Sequence, residues 1–261
     1  MKRKTIRLAG KTLVVSLPSK WVKQYGVQKG DELEVKGLGP TLHISAGEST
    51  VHSTTELNAS TLSDRALRWA LSSLHKKGYT EITVYYTKQK TLDTIRELLK
   101  ELFIGFTIVD QRKSSCIIRA LAREEAKEFD TSMRRAFLVT LSMGEQITES
   151  LRENNINDLR PIAELEKTNN QLTNFCQRII NMGLINPKKS TFQYVIAWNL
   201  EKVADEFKHI CKRLKKAPSK ESIQYVEDIT NMLRSYYELL YKFEQNKLTE
   251  ASLKTKELRM K

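Results

Sequence analysis

Apolar side chains recur every three or four positions over most of the carboxy-terminal half of the chain, and that spacing predicts helices. Phe129, Met133, Phe137, Leu141, Ile147 and Leu151 form one stripe, and Ile162, Leu165, Leu172, Cys176 and Ile179 form a second. A third runs through Phe192, Ile196, Val203, Phe207, Ile210 and Leu214, and a fourth through Ile223, Val226, Ile229, Leu233, Tyr236, Leu240 and Phe243. Asp158 with Pro161, Asn186-Pro187 and Pro218-Ser219 stand at the joins, where helices stop and start. Long helices with short connections predict an antiparallel bundle over 123–247. Beyond Lys247 the periodicity fades, and the tail is expected to fray.

The amino-terminal pattern is different. Thr5 to Leu8, Thr12 to Leu17, Glu32 to Lys36 and Thr41 to Ser45 are rich in β-branched residues and predict four short strands. Leu33 and Val35 alternate with Glu32, Glu34 and Lys36, and Leu42 and Ile44 with Thr41, His43 and Ser45, so each strand is expected to bury one face. Gly10-Lys11 and Gly37-Leu38-Gly39-Pro40 supply turns, and Pro18 to Gly26 reads as one helical unit with Pro early and Gly at its end. Ser45 to Ser60 is small and polar, as a connection would be. Helical spacing over Leu62 to Lys77 and Leu92 to Phe103, with β-rich runs at Ile82 to Tyr86, Phe106 to Val109 and Cys116 to Ile118, predicts a small mixed α/β domain over 60–121. The fold class is therefore multidomain α+β, with a β-rich head over 1–48, the α/β domain and the helical bundle.

Composition agrees with a globular chain: 261 residues, 40% hydrophobic and 29% charged, leave room for two or three cores. No stretch approaches the roughly 20 apolar residues of a membrane span, and Met1-Lys2-Arg3-Lys4 is followed by no apolar leader segment. Cys116, Cys176 and Cys211 are odd in number and far apart, which suits a reducing, cytoplasmic setting. No Gly-rich phosphate loop, nucleophile elbow or HExxH pattern occurs, so an enzyme is not expected. His43, His52 and His75 fall in unremarkable settings, whereas His209, one turn after Asp205, is either a ligand or a hydrogen-bonded surface residue. Trp198, Tyr236, Tyr237 and Tyr241 recur at helical spacing and read as packing residues.

Charge narrows the partners. Lys plus Arg outnumber Asp plus Glu by 44 to 31, a formal net charge of +13, which favours an anionic partner. The asymmetry is steepest at the amino end: Lys2, Arg3, Lys4, Arg7, Lys11, Lys20, Lys23 and Lys29 precede the first acid, Asp31. Charge alone is equally compatible with a solvated basic surface. The word order goes further. Leu17-Pro18-Ser19-Lys20-Trp21 and Gly30-Asp31-Glu32-Leu33-Glu34-Val35, set in the order strand, turn, strand, short helix, strand, resemble the SpoVT/AbrB and MazE swapped-hairpin family. That resemblance covers about the first fifth of the chain. It implies a homodimer in which exchanged hairpins close one small β-barrel whose basic loops bind double-stranded DNA. Carried over by position, Arg3, Lys4, Arg7, Lys11, Lys20 and Lys23 are the expected DNA contacts, with the arginines better suited to base or groove contact and the lysines to phosphate.

In the third helical stripe, Glu201 and Asp205 stand at i and i+4 on one face, opposite the stripe from Phe192 to Leu214, and are expected to be exposed. Such a pair could help hold a divalent cation, or could be neutralised by Lys208 or Lys212. Asn199-Leu200-Glu201-Lys202-Val203-Ala204-Asp205 is similar to the acidic motif of PhoU proteins, regulators of phosphate uptake whose helical units can carry metal. The upstream counterpart, Glu166-Lys167-Thr168-Asn169-Asn170, has an amide at the second ligand position. The resemblance therefore implies Glu166, Asn170, Glu201 and Asp205 as a site for a divalent metal or iron, weakened by one missing charge. Both resemblances together imply an archaeal-type PhoU-related regulator of phosphate uptake with an AbrB-like head. Two alternatives remain: an adaptor that binds phosphate transporter subunits or a sensor kinase, and an antitoxin whose appended region covers a toxin.

Overall fold

In a computed structural model of the chain, residues 2–8, 10–38, 40–46, 53–122, 125–216 and 218–260 are described. They fall into two compact units, Met1–His52 and Ser53–Lys261. His52 and the rest of 47–52 lie outside the described residues, as does the side chain of His43.

The first unit holds two antiparallel hairpins, β1 (Ile6–Leu8) with β2 (Thr12–Val14) and β3 (Leu33–Leu38) with β4 (Thr41–Ala46), separated by α1 (Ser19–Gln24). Gly10 has φ +78°, a left-handed conformation that lets the first hairpin reverse within one tight turn. Asp31 accepts from the Gln28 backbone N–H at 2.7 Å and closes the turn ahead of β3, where Gly30 has φ +98°. The expected strands and helix are present. The burial is not: each hairpin is its own two-stranded sheet, and among the described residues of this unit no side chain is buried. A two-stranded sheet has no second layer to cover its apolar face.

The second unit opens with an α/β layer: β5 (Thr54–Asn58), α2 (Asp64–Lys76), β6 (Glu81–Tyr85), α3 (Gln89–Leu102), β7 (Phe106–Gln111) and β8 (Ser115–Ala120). Strand order is β5-β6-β8-β7, with β5 parallel to β6 and the other pairs antiparallel. β5 falls in the segment expected to be a connection. Its one large apolar residue, Leu57, packs on the core, and its polar remainder suits an edge strand. Ile82, Val84, Cys116 and Ile118 point from the sheet onto Leu67, Leu71, Leu92, Ile95 and Leu98 of the two helices, all buried.

Four long helices follow, α4 (Ala126–Arg152), α5 (Leu159–Asn181), α6 (Pro187–Arg213) and α7 (Lys220–Tyr241), as their stripes predict. Asn186 accepts from Lys188 N–H at 2.9 Å with Pro187 in the first turn, and Ser219 accepts from Ser222 N–H at 3.3 Å, so α6 and α7 start at capping residues. Two expectations are corrected. The buried face of α6 is Ala197, Leu200, Ala204, Phe207 and Cys211, whereas Phe192 is 66% exposed. Small residues there let α6 press against α5, while Phe192, Val195 and Trp198 turn outward. The tail beyond Lys247 does not fray but belongs to α8 (Gln245–Met260), which packs on α7 through Ala251 and Leu258. Tyr237 and Tyr241 pack as expected, their rings 5.0 Å apart, while Trp198 and Tyr236 are 50% and 41% exposed.

The α/β layer and the helices form one unit because α5 is bolted to α2 and α3. Arg178, fully buried, donates from one guanidinium nitrogen to the carbonyls of His75 (2.7 Å) and Tyr79 (2.8 Å) at the carboxy end of α2. That end carries the negative pole of the helix, so a cation fits there. Its guanidinium also lies 4.8 Å from the Phe106 ring. Asn181 donates to Lys76 O at 2.7 Å, Gln171 to Lys100 O at 2.9 Å, and Lys167 pairs with Glu101 at 2.8 Å. His75, which the sequence leaves unremarkable, is fully buried at this junction and stacked on Phe103 at 4.4 Å. Burial first, then the Arg178 charge, holds it well below the usual histidine range, so it is neutral.

Candidate nucleic-acid interface

The six expected DNA contacts occupy one small unit and are all exposed. Arg3 and Lys4 lie in the extended segment entering β1, Arg7 sits at the centre of β1 opposite Leu13, and Lys11 follows Gly10 in the hairpin turn. Lys20 and Lys23 stand three residues apart on α1, which places them on one side of that short helix. Lys2 and Lys29 add two more exposed cations to the same unit. Antiparallel pairing puts Ile6, Leu8 and Val14 on one face of the hairpin, and Arg7 with Leu13 on the other. The arrangement offers separate cationic tips on a scaffold whose apolar side chains are also open: Ile6, Leu8, Leu13, Val35 and Leu42 are 56–69% exposed.

The acidic residues of the helical layer come together differently from their expected exposure. Glu166 on α5 is buried, and Glu201 and Asp205 on α6 are only partly exposed, because they face the α5–α6 seam. The Lys208 ammonium sits between the two helices, 2.8 Å from Glu166 Oε1 and 2.5 Å from Asp205 Oδ1. Asn170 donates to the same Glu166 oxygen at 2.6 Å. Glu201 turns to Lys202 at 2.9 Å. Although burial opposes it, the bond to Asp205 and then that to Glu166 hold the Lys208 ammonium above its ordinary range. Lys208 likewise holds Asp205 below the usual carboxylate range against its burial.

Of the four residues expected to hold a metal, then, Glu166 and Asp205 converge on a lysine, Asn170 bonds Glu166, and Glu201 is paired with Lys202. Among the described residues no group of three or more His, Cys, Asp and Glu side chains is arranged to hold a metal ion. His209 is 41% exposed and lies 3.6 Å from Glu206, a surface contact. The donor set fits an internal ammonium better than a divalent ion. Lys208→Met should therefore cost about 2–4 kcal/mol, since two partly desolvated carboxylates lose their counter-charge. The variant should also become more stable on adding Mn2+, in a thermal melt where the parent chain gains nothing. An equal gain in the parent would show that a metal displaces the lysine.

Lys208 is the residue of this cluster that the acidic motif does not contain. Its signal in the sequence is its place three residues after Asp205, which marks it as a partner on the same helix. Its second bond, to α5, follows only from the helix pairing.

Residues 6–40 match a family model described as antidote-toxin recognition MazE, bacterial antitoxin. The match runs from β1 into the turn after β3 and coincides with the basic unit and its AbrB-like word order. It stops there, and the likeness of the helical layer to PhoU proteins is not shown. No curated protein and no solved structure matches the chain. No helix among the described residues is long and apolar enough to cross a membrane.

Proposed function

We propose that the chain is a DNA-binding regulator that works as a homodimer through its first unit. One observation carries this reading: among the described residues of that unit no side chain is buried, while apolar residues of both hairpins stand open on the same scaffold as eight exposed cations, Lys2, Arg3, Lys4, Arg7, Lys11, Lys20, Lys23 and Lys29. Some forty residues in two hairpins cannot bury enough apolar surface alone, and a second copy supplies the missing layer. Pairing would bring two sets of Arg3, Lys4, Arg7, Lys11, Lys20 and Lys23 onto one surface, as symmetric DNA readers require. The helical layer is then the part that senses a state or binds a partner. The finer reading, control of phosphate uptake, is supported by the resemblance of Asn199 to Asp205 to the PhoU motif.

Binding to duplex DNA should weaken steeply with salt, since each neutralised phosphate contributes about −0.9 to the slope of log K against log salt. Lys11→Ala with Lys20→Ala removes two lysines from each copy, and so should flatten that slope by about 3.6 and leave dimerisation unchanged, because both side chains are exposed. Fluorescence anisotropy over a salt series, with sedimentation of the same samples, measures both. A slope indifferent to the substitutions, or a strictly monomeric chain, would overturn the proposal.

A second reading, an antitoxin, is favoured by the description of the family matched at 6–40. It expects a small protein partner held in a tight stoichiometric complex by the second unit. The adaptor reading expects transporter or kinase subunits instead, with no DNA affinity.

A further inference from the structure

The helical layer has an unfilled seam. In an ordinary antiparallel bundle each helix packs on two neighbours. Here α6 packs on α5 and α4, and α7 packs on α4 and α8, but α6 and α7 stand apart across a groove of about 640 Å3. Buried Phe137, Leu200 and Leu233 lie at its base. Its rim is Phe192, Tyr236, Leu240, Phe243 and Leu248, which are 37–70% exposed. The two polar side chains that line it already bond within the protein: Asn199 donates to Val195 O at 2.9 Å, and the Tyr236 hydroxyl pairs with Thr255 at 2.8 Å. A small polar ligand would find little to orient it there.

The same chain carries a segment suited to the groove. α8 faces α7 through Ala251 and Leu258, and on its far side Leu253 and Met260, seven residues apart, are 59% and 72% exposed. Two turns of helix align those residues as one apolar stripe. We propose that the groove between α6 and α7 of each copy receives the exposed stripe of α8 from a second copy, reciprocally about a two-fold axis.

Two observations favour a second copy over another occupant, and a third ground rests on the pairing proposed above for the first unit. Groove and stripe are complementary apolar surfaces on one chain, so a two-fold pairing buries both twice and leaves no open end. At roughly 150–250 Å2 per large side chain, the exposed fractions of rim and stripe amount to on the order of 700 Å2, close to the roughly 800 Å2 per partner of a stable pair. The contact also extends the pairing proposed for the first unit, which would hold the second bundle at high local concentration.

Sedimentation of four full-length proteins tests this: the parent, Leu13→Glu with Leu42→Glu in the first unit, Phe192→Glu with Phe243→Glu on the groove, and the combination. All four substituted residues are at least 66% exposed, so the cores remain, and an unchanged helical melt checks that. Either pair alone should leave a dimer with a dissociation constant raised at least about tenfold, and the combination should be monomeric. If the combination dissociates at the same concentration as the first-unit variant alone, the groove faces some other occupant and the inference fails. If the groove variant alone is monomeric while the first-unit variant associates like the parent, the pairing proposed for the first unit fails and the groove contact stands.

Discussion

Arg178→Met should lower the melting temperature of the second unit by about 10 °C or more. The side chain is fully buried and donates to the carbonyl of His75 in the last turn of α2 and to that of Tyr79 just beyond it. Methionine would fill most of the volume but take the charged donor from both carbonyls, leaving His75 O only the Gly78 N–H at 3.0 Å, and the cation from the ring of Phe106. Breaking a buried charged contact of this kind costs about 3–5 kcal/mol, and a unit of this length loses about 2–4 °C per kcal/mol. Differential scanning calorimetry would also separate the α/β transition from the helical one, because the bolt between them is gone. A shift of only a degree or two would mean that Asn181, Gln171 and Lys167 hold the junction without it.

Gly144→Ala is the second expected large loss. A methyl group in the middle of a helix normally favours the helix by about 1 kcal/mol over glycine. At Gly144 the added carbon would stand 2.2 Å from Thr230 Oγ1, 2.9 Å from Thr230 Cγ2 and 3.1 Å from Phe207. Thr230 cannot turn aside, because its hydroxyl donates to Val226 O at 2.8 Å and its other branch is also in the way. α7 must therefore retreat from α4, and overpacking of this kind costs about 1–3 kcal/mol, occasionally more. The clash outweighs the propensity gain, so a net loss of about 2 kcal/mol is expected in chemical denaturation. Thr230→Gly in the same chain should return part of it. A stabilised Gly144→Ala variant would show that α4 and α7 are not in close contact.

The long helices were legible because their cores repeat at helical spacing. Phe129, Met133, Phe137 and Leu141 are all buried on α4, as the stripe requires. The same counting found Phe207 but set the face of α6 too far round, since it weighted Phe192 by hydrophobicity and passed over the alanines. Helices that approach closely bury small residues, and Ala197, Ala204 and Cys211 occupy the seam. β5 was hidden for a related reason: Thr54-Thr55-Glu56-Leu57-Asn58 has one large apolar side chain, and its partner strand β6 supplies the rest of the signal. In the basic unit, strand order and turns could be read locally, but burial could not, because among the described residues neither hairpin has a second layer over its apolar side chains. The Glu166 cluster shows the limit of motif reading. Glu201 and Asp205 looked like one exposed pair, whereas Asp205 shares Lys208 with Glu166 of the neighbouring helix and Glu201 pairs with Lys202, which also lies 3.7 Å from Asp205.

The three cysteines lie in three different places in the core, and none is exposed. Burial pushes the thiols of Cys116 and Cys211 up to about 11 and that of Cys176 up to about 12. Since only the thiolate attacks an electrophile or an oxidant, the native chain is close to inert toward maleimides at neutral pH. Any single cysteine engineered on the surface would therefore take a fluorophore or spin label selectively, which makes distance measurements between copies feasible without first stripping the natural thiols.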